Sequence, residues 1–171
     1  MAACLPMMEI QADETTDVTA TYLVNASFEA DDTAQLQQVT NTADGLRGYE
    51  VSTPQGWTVG NSVGAVSLIG TADCYTDNNF GKVTPLADGK QAYYQRVGWT
   101  NGSSSLQQTA KNLPAGTYRM TASIRSGYAN QATSSVELFA GTASSTLSFS
   151  QGSSGFFASL PWSTAAVDFE I

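Results

Sequence analysis

The sequence predicts an all-β domain, an antiparallel two-sheet sandwich, and three observations predict it. From Val18 onward, short runs of β-branched, aromatic and aliphatic residues alternate with Gly, Asn, Asp, Ser and Pro, which is the punctuation of strands and turns. No long helical apolar period appears anywhere in the chain. Between Thr117 and Arg125 the alternation is strict: Tyr118, Met120, Ala122 and Ile124 form an apolar set, and Arg119, Thr121, Ser123 and Arg125 a polar one. A period of two places one set on the core and the other in water.

The chain begins with MAACLPMMEIQA, which is apolar and rich in small residues, and continues through an acidic spacer to Asp17. Residues 1–17 therefore read as a signal-peptide remnant, with cleavage after Ala12, or as a disordered leader. The basic start and longer apolar stretch of a full signal are missing, so either the beginning was trimmed or Met1 is an internal methionine. Met1-Ala2-Ala3-Cys4 distantly resembles a bacterial lipoprotein box, with Met where Leu is usual. Residues 18–171 form one domain, and the leader points to a secreted or cell-surface location.

Candidate strands then follow at Thr21–Val24, Val63–Ile69, Gln91–Val97, Leu106–Lys111, Thr117–Arg125, Ser135–Ala140, Ser144–Phe149 and Ala166–Ile171. Leu113-Pro114-Ala115-Gly116 reads as the turn of a hairpin joining Leu106–Lys111 to Thr117–Arg125, with Pro presetting its own φ and Gly available for a positive φ. Asp31–Gly56 is polar and irregular, with Ala34–Val39 as a single helical turn. It is expected to be a long excursion between the first strand and the Trp57 strand, of a kind usually functional or metal-stabilised.

Composition excludes several functions. The 171 residues suffice for one core. Charged residues are 13% of the chain and the net charge is -8, with no cluster of Lys or Arg, so neither nucleic acid nor an anionic membrane is an expected partner. No stretch is long and apolar enough for a membrane span. The absence of histidine rules out a Ser-His-Asp device and the commonest transition-metal ligand. Cys4 and Cys74 match no zinc or redox spacing, and no GxSxG, Walker or dinucleotide motif occurs. Glycoside hydrolysis needs two opposed carboxylates, but many of the acidic residues crowd into Glu9–Asp17 and Glu29–Asp32, a leader and a turn.

Three motifs carry a resemblance. They are Tyr22-Leu23-Val24-Asn25-Ala26-Ser27-Phe28-Glu29, then Gly56-Trp57-Thr58, then Asn112-Leu113-Pro114-Ala115-Gly116-Thr117-Tyr118-Arg119-Met120-Thr121-Ala122. Together they resemble the galactose-binding-like jelly roll, the fold of carbohydrate-binding modules of families four, nine and twenty-two and of domains on secreted proteins of Bacteroidetes. The resemblance covers most of Thr21–Tyr128. It implies that Phe28 enters the core and that Glu29, assisted by Asp31, holds a structural calcium ion, which takes several oxygen ligands. The alternative for Glu29 is a turn cap. The family's second acidic ligand comes from a segment near the C-terminus that nothing here matches; Asp168 stands as its substitute. The Asp168 segment reads as a penultimate hairpin, which implies a jelly roll lacking its last strands and an open sheet edge that invites association.

The resemblance also implies a polysaccharide or oligosaccharide ligand. A sugar-binding face needs aromatic rings to stack on pyranoses, flanked by amides, carboxylates or guanidinium groups for the hydroxyls. Trp99 beside Asn101, Tyr75 beside Asn79, and Tyr128 beside Asn130 are the loop candidates, with Arg96 and Arg125 on strands. Each has a structural alternative. Trp57 is assigned to the core, Trp99 and Tyr75 are core or ligand, one of Tyr93 and Tyr94 faces inward, Trp162 plugs the sandwich or meets ligand, and Arg125 pairs with a carboxylate such as Glu137. The expected function is a non-catalytic module binding a polysaccharide such as xylan, alongside other modules of a larger glycan-degrading enzyme. A structural or protein-binding module with no sugar ligand is the alternative, and convergence or scatter of the aromatics discriminates the two.

Overall fold

The computed structural model describes residues 15–41, 46–61, 66–72, 85–96, 103–125, 134–149 and 161–171. They form an all-β, sandwich-type protein in which every described ladder is antiparallel. One short helix precedes the strands, α1 (Thr19–Tyr22), and a 3-10 turn spans Thr33–Gln35. The strands are β1 (Gln37–Asn41), β2 (Leu46–Glu50), β3 (Thr58–Asn61), β4 (Val66–Thr71), β5 (Gln91–Arg96), β6 (Ser104–Gln107), β7 (Thr117–Ile124), β8 (Ser134–Ala140), β9 (Ala143–Phe149) and β10 (Ser163–Glu170).

The largest sheet has the order β1-β2-β4-β5. β4 is its buried strand, with Leu68 and Ile69 at 1% and 0% exposure, so both faces of the strand are covered. Gly48 on β2 permits that cover, because a Cβ there would meet the Leu68 side chain at 3.0 Å. β7 pairs with β10 over eight residues, from Thr117↔Glu170 to Ile124↔Ser163, and two backbone hydrogen bonds between Gly116 and Ile171 extend the ladder. On this pair the alternation read from the sequence holds. Arg119, Thr121 and Ser123 are exposed, while Tyr118, Met120, Ala122 and Ile124 turn inward opposite Phe169, Val167, Ala165 and Ser163. Val167 and Ala165 are buried, and Tyr118 stacks on Phe169 at 5.5 Å.

β8 and β9 form a tight hairpin closed by Gly141-Thr142, with Gly141 at φ +60, a conformation that costs glycine little. Phe149 at its end is buried, and both strands pack near β10.

Four expectations differ from the structure. Thr19–Tyr22 is a helical turn, and no strand spans Thr21–Val24. The N–H of Leu23 closes the turn on Thr19 O, and Asp17 Oδ1 accepts the Thr19 N–H at its start. Asp31–Gly56 is not an irregular excursion: its helical part is limited to Thr33–Gln35, and β1 and β2 form an antiparallel pair within it. β6 pairs with β3, not β7, so the two strands flanking Leu113–Gly116 are not a hairpin. In that turn the positive φ belongs to Asn112 at 59°, not to Gly116. Among the described residues β10 pairs with β7, which lies far back in the chain.

Candidate functional site

The N-x-x-F-E segment builds the densest set of side-chain interactions among the described residues. Asn25 and Phe28 both take positive φ, 51° and 63°; asparagine tolerates that region, whereas for a bulky phenylalanine it is strained and needs compensation. The compensation is visible. Asn25 Oδ1 accepts the Ala30 N–H at 2.9 Å, and its Nδ2 donates to Asp31 Oδ2 at 2.7 Å and to the Gln55 carbonyl at 3.2 Å. The Asn25 carbonyl in turn accepts the Trp57 indole N–H at 3.0 Å.

Phe28 then lies between two rings, Trp57 at 5.6 Å and Tyr93 at 5.4 Å. All three are half-buried. The Tyr93 hydroxyl reaches buried Ser67 at 3.0 Å, and burial raises its pKa above the ordinary tyrosine value. Tyr93 therefore packs on the N-terminal segment from the β5 face that also carries Ser67 across on β4.

The carboxylates expected as calcium ligands sit as follows. Glu29 Oε1 accepts the N–H groups of Lys90 and Gln91, at 2.8 and 2.9 Å, and so caps the start of β5. Gly89 permits that approach: its φ is +59°, and a Cβ there would collide with Glu29 Oε1. Asp31 is buried, its Oδ1 accepting the Gln55 N–H at 3.0 Å and its carbonyl accepting Gln91 Nε2 at 3.1 Å. Gln91 Oε1 is buried without a hydrogen-bond partner among the described residues. Gln91 Oε1 is thus a buried oxygen left over at this corner, while both oxygens of Asp31 are already taken by N–H donors.

Asp168 belongs elsewhere. It holds Arg119 in a two-point ion pair at 2.6 and 2.8 Å on the exposed face of β7 and β10. The guanidinium holds the Asp168 carboxyl below its ordinary pKa, and the carboxylate raises that of Arg119. Among the described residues no group of three or more His, Cys, Asp or Glu side chains is placed to hold a metal.

Of the expected sugar-binding residues, Trp99, Tyr75, Tyr128, Asn79 and Asn130 lie outside the described residues, as do Cys4 and Cys74. Arg96 is described in its backbone alone, ending β5 opposite Val66. Arg125 follows the last residue of β7 and sets its guanidinium over the Trp162 ring, 5.7 Å from the centroid, with its pKa lowered by desolvation. The Trp162 indole N–H donates to the Pro85 carbonyl at 2.6 Å, which fixes the ring plane. Glu137, the sequence candidate for pairing with Arg125, stands on β8 opposite Thr146.

Sequence reasoning missed the Arg125–Trp162 pair and the role of Gln108. The Gln108 side chain bonds both backbone polar groups of Val24, and nothing in residue type or spacing announces a contact across that much chain. No helix among the described residues is long and apolar enough to cross a membrane. No family model, no curated protein and no solved structure matches this chain.

Proposed function

We propose that this protein is a non-catalytic, secreted or cell-surface module that binds polysaccharide, built as a galactose-binding-like jelly roll and attached to a glycan-degrading system. The observation that carries this reading is the Arg125–Trp162 pair. A half-exposed indole is held in orientation from two sides, by Pro85 O and by the guanidinium, so little ordering entropy remains to oppose a stacked sugar. The chain continues from Arg125 into Tyr128 and Asn130, which belong to the proposed set. Trp99, Tyr75, Asn79 and Arg96 complete the proposed set.

Structural calcium at the Glu29 corner is part of the proposal. Gln91 Oε1 and the Glu29 carboxylate supply its side-chain oxygens, with the ion joining the N-terminal segment to β5.

A second reading, a structural or protein-binding module, has its own support. The described aromatics divide into separate groups, with Phe28, Trp57 and Tyr93 in one, Tyr118 and Phe169 in another, and Trp162 apart. Affinity gel electrophoresis against xylan, mannan, β-glucan, pectin and mucin glycans, with and without calcium, separates the two. Retardation of the wild type that is lost in Trp99→Ala or Arg125→Ala, with unchanged far-UV circular dichroism, supports the sugar module. No retardation on any polysaccharide gives the structural reading.

A further inference from the structure

The outer face of the β8–β9 hairpin joins an exposed ring to a field of hydroxyls. Among the described aromatic residues, Phe139 is the one whose side chain is largely in water, at 47% exposure; every other is half-buried or buried. A lone exposed apolar residue is ordinary on a protein surface, so its surroundings decide.

Phe139 faces Ser144 across the ladder, a residue too small to cover the ring. The next pair on the same face, about 7 Å along the strands, is Glu137↔Thr146, and the next is Ser135↔Ser148. All of these are exposed. The opposite face carries Leu138, Leu147 and buried Phe149, with Val136 38% exposed, and β10 packs near both strands of the hairpin. Its tip is open as well, since a Cβ on Gly141 would meet nothing within 4 Å.

We infer that this face is a second, planar carbohydrate-binding surface, on which a neutral pyranose stacks on Phe139 while Glu137, Ser144 and Thr146 bond its hydroxyls. The occupant follows from the chemistry. An extended protein surface would demand more apolar area than one ring, and an anion would be repelled by Glu137 in a chain of net charge -8. A glycan needs one aromatic plane and several short polar side chains beside it, on a rigid support. The inference rests on the polysaccharide reading above and deepens it, adding residues distinct from the Arg125–Trp162 group.

The test compares wild type, Phe139→Ala, Phe139→Leu, Phe139→Trp and Ser144→Arg by affinity gel electrophoresis on the polysaccharide that retards the wild type, with circular dichroism and gel filtration on each. The expected result is roughly tenfold weaker retention for Phe139→Ala and Phe139→Leu, retention by Phe139→Trp, and loss in Ser144→Arg, where the new side chain covers the ring. Should Phe139→Ala fail to fold, Ser144→Arg carries the test. Wild-type retention in both Phe139→Ala and Ser144→Arg overturns the inference and leaves the polysaccharide reading standing. A change from dimer to monomer in Phe139→Ala, with retention intact, overturns it in favour of self-association. A wild type that no polysaccharide retards overturns both.

Discussion

The side-chain amide of Gln108 makes with Val24 both hydrogen bonds that a neighbouring strand would make: Oε1 accepts the Val24 N–H at 2.9 Å, and Nε2 donates to the Val24 carbonyl at 3.0 Å. β6 ends at Gln107, so one side chain carries the pairing a step beyond the backbone ladder and ties down the N-terminal segment. Gln108→Ala is expected to lower stability by about 1 kcal/mol, since the bonds are solvent-accessible. Gln108→Glu should cost at least as much, because a carboxylate oxygen then faces the Val24 carbonyl. Urea midpoints measure both, and unchanged midpoints would mean that the segment contributes nothing to the cooperative unit.

Glu29 ties the same segment to β5. Glu29→Ala removes an acceptor of two backbone N–H groups and should cost about 2 kcal/mol, whereas Glu29→Gln keeps an oxygen there and should cost less. Gly89→Ala should be as damaging as Glu29→Ala, since it adds a strained φ to a collision with the carboxylate. Equal midpoints for wild type and Gly89→Ala would refute the close approach.

Calcium at this corner predicts a melting temperature that falls on adding chelator, recovers with added calcium, and no longer responds to either in Glu29→Gln. An unchanged melting temperature with chelator removes the ion from the proposal and leaves Glu29 as the cap of β5.

Tyr93 links pH to this hub. Burial raises its folded pKa above the ordinary value of 10.0, so the folded state holds its proton more tightly than the unfolded chain does. The linked stability is intact below about pH 10 and declines as pH rises through the folded pKa. Tyr93→Phe should remove that alkaline dependence and, by breaking the bond to Ser67, cost about 1 kcal/mol at neutral pH. Denaturant titrations from pH 8 to about 11 would read it, and parallel curves for the two proteins would exclude Tyr93 as the group.

The Arg119–Asp168 pair should matter little despite its geometry, because both side chains are well exposed and water screens them. Asp168 is held below its ordinary pKa of 3.8, so its small contribution is present above that value and is lost as pH falls through the lower, folded one. Asp168→Asn should leave the neutral-pH urea midpoint nearly unchanged. A large drop would mean that the outer face of β7 and β10 is covered by something that excludes water.

Much of this architecture was legible from alternation. Period two in Thr117–Arg125 named the inward set of β7, and the strands at β8, β9 and β10 followed from the same signal. Two-residue alternation assigns a face but never a partner, which is why β6 was matched to its neighbour in sequence, while the structure pairs it with β3. The β1–β2 ladder escaped notice because Gln37, Gln38 and Glu50 face water and its strands carry little apolar pattern. Thr21–Val24 is β-prone by composition, yet Thr19–Tyr22 is a helical turn, closed by the Leu23 N–H on Thr19 O and preceded by the Thr19 N–H to Asp17 Oδ1 bond.

The sequence by itself determined the class of the protein and the inward face of its clearest strand, because composition and periodicity are local properties of the chain. Tertiary structure alone decided that Glu29 caps β5, that Asp168 pairs with Arg119, that Arg125 lies on Trp162 and that Phe139 stands in water. Each of these depends on which distant segment arrives beside a residue, and that is settled by how the whole chain satisfies its backbone hydrogen bonds and buries its apolar faces together.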